Sequence, residues 1–211
     1  MKRVYRVLFY ISGMIIQCFG LSLSTKTNLG ASAIISLPFT VGEVTGINFA
    51  IFNFMLSLIM VGIQILLSRK VHVTTLLQIP GSFLISSLVG IYDVILPAPV
   101  QMWQRAVCMA VAIIANGVGG AMMINMKVVP NIADGLANSI GEKLGRNLGF
   151  GKNILDFTCV ALSCCIGLLF FRRIIGVGIG TVFAMIFVGR VMATFNYFFR
   201  QPMMEKAGVH A

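Results

Sequence analysis

The stretch "GLSLSTKTNLGASAIISLPFTVG", residues 20–42, is echoed by "GGAMMINMKVVPNIADGLANSIG", residues 119–141. Each begins inside an apolar run, stops in a polar knot with one lysine, resumes as a short apolar segment and ends at a Gly-Glu pair. The chain around these interruptions has 211 residues, is 58% hydrophobic and only 10% charged, and has a mean hydropathy of +0.95. Globular domains carry about 25% charged residues, so this composition indicates an integral membrane protein. The net charge of +10 does not indicate nucleic acid, because the basic residues flank apolar runs instead of forming a stripe or a tail.

A helix needs about 20 mainly apolar residues to cross the hydrocarbon. Six segments meet this: 5–24, 47–67, 73–96, 103–125, 152–171 and 174–198. The stretches 26–46 and 127–150 are too polar or too short to cross alone. The expected fold is therefore an all-α polytopic membrane protein. The basic N-terminus followed by an apolar run also fits a signal peptide with a processing site at Ala31-Ser32-Ala33, but the spans that follow favour a first, retained helix. Cys18, Cys108, Cys159, Cys164 and Cys165 all fall in apolar runs without metal-ligand spacing, which points to packing and to neither a disulfide nor a metal site.

Six spans with both termini inside place Lys26, Arg105, Arg172 and Arg173 outside. Arg190 lies within a span, and the other eleven of the sixteen basic residues fall inside, the bias of cytoplasmic loops.

The two halves repeat. At a spacing of 99, Arg6 matches Arg105, Gln17 matches Asn116, Gly20 matches Gly119 and Gly42-Glu43 matches Gly141-Glu142. After a four-residue insertion the spacing is 103: Gly46 matches Gly149, Asn53-Phe54 matches Asp156-Phe157, Arg69-Lys70 matches Arg172-Arg173, and Asp93 matches Asn196. The expected units are 1–96 and 97–199, followed by a short cytoplasmic tail, 200–211. Three spans per unit is an odd number, so the second unit enters the membrane upside down. Secondary transporters built this way bind substrate where interrupted helices of the two halves meet. The pair Arg172-Arg173 strains this reading, because it lands outside while its counterpart lands inside.

Non-helical backbone at membrane depth survives only buried in protein or lining a wet cavity. In the first interruption Asn28 or Ser32 can cap the helix that follows; in the second, Pro130 suits a first turn, Asn131 is a cap and Asp134 sits in the first turn. Two readings stand side by side. In one, re-entrant short helices aim their N-termini at a binding site formed by Lys26, Asn28, Ser32, Asn131 and Asp134. In the other, both stretches are amphipathic connectors on opposite membrane surfaces.

Polar residues inside spans are Gln17, Asn53, Gln78, Asp93, Asn116, Asp156 and Arg190. A charge at the bilayer centre costs about 2.5–3.5 kcal/mol on insertion scales and is kept for a partner or a task. Asp93 is near a span end and reaches the interface. Asp156 and Arg190 come to similar depth, which predicts an ion pair, against snorkelling of Arg190 to headgroups. The four amides otherwise serve interhelical hydrogen bonding. The runs "NGVGGA" and "GVGIG" are packing signals, and the second lacks the preceding strand of a phosphate loop.

These units resemble the YczE/YyaS/YitT group of bacterial membrane proteins. The resemblance rests on an apolar helix ending Gly-x-x-Leu, then Leu-Gly-x-Ser or an acidic equivalent, then a short helix, and covers about Arg6 to Asn196. Gly20, Leu29, Gly30, Ser32, Asp134, Gly180 and Thr181 match the pattern; Val129-Pro130 departs from Leu29-Gly30. It implies a bacterial inner-membrane protein of five or six spans whose group has no assigned activity, so no residue role carries over.

The functional expectation is a small transporter or permease for a zwitterionic or anionic metabolite. The alternatives are a substrate-capture subunit of a multicomponent transporter and a non-transporting organiser of other membrane proteins. Partners are the bilayer and a small solute, with a homo-oligomer or coupling subunit left open. Catalysis is not expected: His72 and His210 sit at a flank and in the tail, and there is no Ser-His pair, metal cluster or cofactor motif. The orientation is testable. A cysteine at position 99, in a cysteine-free background, should react with an impermeant maleimide in intact cells, and labelling only after lysis reverses the topology.

Overall fold

The computed structural model describes residues 2–69 and 73–209, apart from the side chain of Leu148. Lys70, His72 and His210 lie outside the described residues. Among the described residues there are eight α-helices and no strand: α1 (Lys2–Lys26), α2 (Ala33–Thr45), α3 (Phe49–Ser68), α4 (Val73–Ile95), α5 (Met102–Met126), α6 (Ile132–Lys143), α7 (Leu148–Phe171) and α8 (Ile179–Ala207). Six are long and apolar enough to cross a membrane, and α2 and α6 are the short ones. The chain is thus a multi-pass helical membrane protein. The segment read as a tail continues α8, and its Met203, Met204 and Ala207 are buried against Phe9, Tyr10 and Met126.

Local geometry follows the sequence match closely. Every non-glycine residue with positive φ among the described residues belongs to one of two matched pairs. Asn28 (φ 54) and Lys127 (φ 47) lie 99 apart at the two interruptions; Arg69 (φ 50) and Arg172 (φ 54) lie 103 apart at the ends of α3 and α7. Left-handed Gly46 (φ 72) and Gly145 (φ 64) follow α2 and α6. Asn48 and Asn147 then cap α3 and α7, accepting from Ala50 N at 2.9 Å and Phe150 N at 3.0 Å. Gly46 therefore corresponds to Gly145 and not to Gly149. The insertion comes later, as the extra length of α7, 24 residues against 20 in α3. Four residues make about one helical turn, so the rest of α7 keeps the same face as α3.

Packing repeats in the same way. Helix α1 lies against α5, and the contacts α1·α4, α2·α3, α2·α7 and α2·α8 recur as α5·α8, α6·α7, α3·α6 and α4·α6. Two departures matter among the described residues: α3 packs along α4 whereas α7 and α8 share no extended contact, and α8 packs on α1 without an equally extensive contact between α4 and α5. The short helices are inserted among the long ones. Ile132, Ala133, Leu136 and Ala137 of α6 form one core with Met60 and Val61 of α3 and with Leu155 and Cys159 of α7.

Helices α1 and α5 cross in opposite directions at backbone contact. A Cβ on Gly20 would lie 2.7 Å from Asn116 N and 2.8 Å from Ala112 O. One on Gly119 would lie 2.5 Å from both Gln17 N and Gly13 O, the residues 99 earlier. Lipid offers helices no hydrophobic reason to associate, so close approach through small residues supplies the contact energy. Gly119→Ala should therefore destabilise the protein by about 1–3 kcal/mol through overpacking, read as a lower melting temperature by fluorescence-detected size exclusion. Gly189→Ala, where a Cβ meets nothing within 4 Å, should leave it unchanged.

Candidate functional site

The polar backbone of the first interruption is tied to the α7–α8 turn. Ala31 N donates to Gly176 O and Gly180 N to Leu29 O, both at 2.8 Å, and Thr181 Oγ1 donates to Ala31 O at 2.7 Å. Gly30 (φ 115) faces Gly178 N, where a Cβ would come within 2.5 Å. The run "GVGIG" thus serves close backbone contact. The second interruption is held by α1: Arg6 donates through Nε to Met126 O at 2.7 Å and through its terminal nitrogen to Lys127 O, and Tyr10 OH donates to Val129 O at 3.3 Å.

With their loops anchored, the N-termini of α2 and α6 open onto one cavity of about 380 Å³. It is lined by Gln17 of α1, Ser32 at the start of α2, Asn53 of α3, Gln78 of α4, Asn116 of α5, Asn131 and Asp134 of α6, and Lys152 and Asp156 of α7. Gln17 Nε2 donates to Asn116 Oδ1 at 3.4 Å, joining two residues matched across the repeat. Asn53 Nδ2 donates to Ser86 Oγ at 2.9 Å. Asn131 Oδ1 caps α6 by accepting from Ala133 N at 3.4 Å, whereas Ser32 makes no side-chain cap bond. Free N–H groups and the helix dipole make both N-termini partly positive.

Gln78 is 2% exposed, and neither its Nε2 nor its Oε1 has a hydrogen-bond partner. Its counterpart 103 residues later is Thr181, whose hydroxyl is satisfied by Ala31 O. Gly135 in the first turn of α6 makes room for the glutamine. A Cβ there would lie 2.7 Å from Gln78 Nε2 and 3.0 Å from the amide of Gln64, whose Oε1 is also buried and unpaired. A buried, unmatched amide costs about 1–3 kcal/mol, which the fold sustains beside an open cavity.

The site thus gathers Ser32, Asn131 and Asp134 from the five residues expected at the interruptions, together with Gln17, Asn53, Gln78, Asn116 and Asp156 from the in-span set. Lys26 and Asn28 are elsewhere. They line a second cavity of about 370 Å³ with Glu43 and Asp93. Lys26 Nζ lies 2.7 Å from Asp93 Oδ1, so Asp93 has a partner and is not merely reaching an interface. The expected pairing of Asp156 with Arg190 is not formed among the described residues, because α7 and α8 share no extended contact that would bring the two side chains together. Arg190 is exposed, with its guanidinium 5.5 Å from the centre of the Phe187 ring. Asp156 instead shares its surroundings with Lys152 and Asp134. Sequence reasoning missed Lys152, counted as a cytoplasmic flank, and Gln64. The i, i+4 spacing of Lys152 and Asp156 on one helix was the available signal.

A model of a family of unknown function, DUF6198, matches residues 4–197. The chain belongs to that family. The match covers both interruptions and the whole lining of the main cavity, from Tyr10 to Met192. No curated protein and no solved structure matches this DUF6198 member.

The pair Lys26–Asp93 has a neutral counterpart in the other half: Asn125 Nδ2 donates to Asn196 Oδ1 at 2.7 Å, the residues 99 and 103 later. Either Lys26→Asn or Asp93→Asn alone leaves a charge unpaired and should cost about 1–3 kcal/mol. The double variant copies the second half and should recover most of that loss in melting temperature. A double variant no better than the worse single one would separate the two pairs.

Proposed function

We propose that this DUF6198 member is a small bacterial inner-membrane transporter, or permease-like protein, that holds a small polar metabolite in the main cavity. It acts by binding and translocation rather than catalysis. The observation that carries the reading is Gln78, a buried carboxamide with both polar atoms unpaired, facing a cavity framed by two short-helix N-termini. Sites of about 300–1,000 Å³ with a few convergent polar groups are typical of small-molecule binding.

The two halves are read as inverted three-helix repeats with both termini cytoplasmic, and the resemblance to the YczE/YyaS/YitT group as extending to this family. The matched left-handed residues, the Gly20 and Gly119 contacts and the Gln17–Asn116 hydrogen bond support a twofold relation through the α1–α5 crossing. Such a relation supplies the moving part. The first half is shut, with α3 on α4 through Asn53 and Ser86, while α7 and α8 share no comparable contact. Exchange of these two arrangements would alternate access to a fixed central site. Lys26 takes no part in it, so nothing from the first interruption favours an anion beyond the helix dipole.

A ligand panel on purified protein in lipid nanodiscs tests the reading. Binding at about 100 times Kd adds about 2.7 kcal/mol of stability, so a cognate solute should raise the melting temperature measurably. Gln78→Leu should abolish the shift and the uptake of that solute into proteoliposomes. A solute that binds with Gln78→Leu as well as with the unaltered protein, or that is never taken up, sinks the transport reading.

A further inference from the structure

The charge balance of the main cavity, taken with the transport reading above, identifies the class of solute. Among the described lining residues, those with a formal charge are Asp134, Lys152 and Asp156. Lys152 Nζ is 3.2 Å from Asp134 Oδ1 and one turn from Asp156 on the same face of α7. Whichever carboxylate the ammonium faces, one negative charge is left over. The helices packed on α7 bring no second base to the lining: α6 presents Asp134 there, its Glu142 and Lys143 are exposed in its last turn away from the cavity, and the one charged residue of α2, Glu43, lines the other cavity. Arg190 on α8 is stacked on Phe187.

The comparison of halves shows where the extra charge sits. Asn53 and Ser86 are joined by a hydrogen bond in the first half. Their counterparts 103 residues later are Asp156 and Gly189. The glycine offers no side chain, and a Cβ there would meet nothing within 4 Å. A neutral, closed pair is thus replaced by a carboxylate, 9% exposed, facing open space. Lys152, the base that offsets the other acid, belongs to the extra turn of α7. An unpaired carboxylate and an unpaired amide that line one cavity within a helical bundle are both stabilised by a cation that donates hydrogen bonds.

We propose that the main cavity takes a monovalent organic cation, a protonated amine or a guanidinium, with its charged group on Asp156 and a hydrogen bond to the carboxamide oxygen of Gln78.

The test uses the full chain in nanodiscs, with methylammonium and guanidinium at millimolar concentration as probes and acetate and urea as anionic and neutral comparisons, all at matched ionic strength. Both cations should raise the melting temperature saturably. Asp156→Asn should weaken them roughly tenfold or more, the loss of one charge-assisted hydrogen bond. That substitution installs the residue type the first half carries at its equivalent position, so the variant is expected to fold. Lys152→Gln leaves two acids uncompensated and should tighten cation binding several-fold, while Glu43→Gln, in the second cavity, should change nothing. Cations that are silent, or whose effect survives Asp156→Asn, overturn the assignment. An acetate or urea shift that Gln78→Leu removes also overturns it and leaves the transport reading standing. Asp156-dependent cation binding without uptake does the opposite.

Discussion

The contact of α1 with α5 at glycine distance governs the rest of the bundle. Gly20 and Gly119 let each helix place its backbone against the other at matched positions, and no side chain larger than hydrogen fits. Because the two helices run in opposite directions, their interrupted ends emerge on opposite sides of the crossing. The segments that follow turn back so that the N-termini of α2 and α6 open onto one cavity, which Gln17 and Asn116 also line, joined by a hydrogen bond. In lipid, where apolar contact between helices gains little over contact with acyl chains, so tight a seam is the means of fixing how α1 and α5 cross. The cavity lies where the breaks fall relative to that crossing.

The two halves share a scaffold and differ in charge. Where one half has Lys26–Asp93, the other has Asn125–Asn196; where one has Asn53 bonded to Ser86, the other has Asp156 opposite Gly189. Thr181 is satisfied and Gln78 is not. Backbone features recur faithfully, down to the left-handed residues that end α3 and α7. Architecture follows the repeated features, and chemistry follows the unmatched ones. A charge or an unpaired amide is tolerated at these positions because each can be changed without moving the helix that carries it.

Much of this was legible in the sequence. Apolar length identifies spans because the hydrocarbon thickness fixes it, and uncharged polar groups and carboxylates inside a span are favoured on its inward face, whereas the long side chain of Arg190 stays exposed. Gln17, Asn53, Gln78, Asn116 and Asp156 could therefore be assigned to the interior, and all line the cavity. What the sequence did not carry was which helices touch. Arg190 and Asp156 share a depth, but depth brings them together only if α7 packs on α8. Lys26 and Lys127 look equivalent in their polar knots, yet it is Asn28 that shares the left-handed conformation of Lys127. The insertion was misplaced for a related reason. A slip of four residues is about one helical turn, so Gly46 fits Gly145 and Gly149 about equally well in pattern, and only the caps Asn48 and Asn147 separate them.

Each interruption is completed by the other half. Leu29 to Ala31 find their partners in Gly176, Gly180 and Thr181, and the carbonyls of Met126, Lys127 and Val129 find theirs in Arg6 and Tyr10. A broken helix whose carbonyls and amides stay unpaired at membrane depth costs several kcal/mol per group. Each half meets part of that cost itself, through Thr27 and Asn131, and the rest is met across the two halves, which ties the placement of both short helices to the closure of one half on the other. The same reciprocity explains why a cavity can persist here. Its walls are held by hydrogen bonds made behind them, at Gly176–Thr181 and at Arg6–Tyr10, which leaves the side chains facing inward free to be chosen for what they bind.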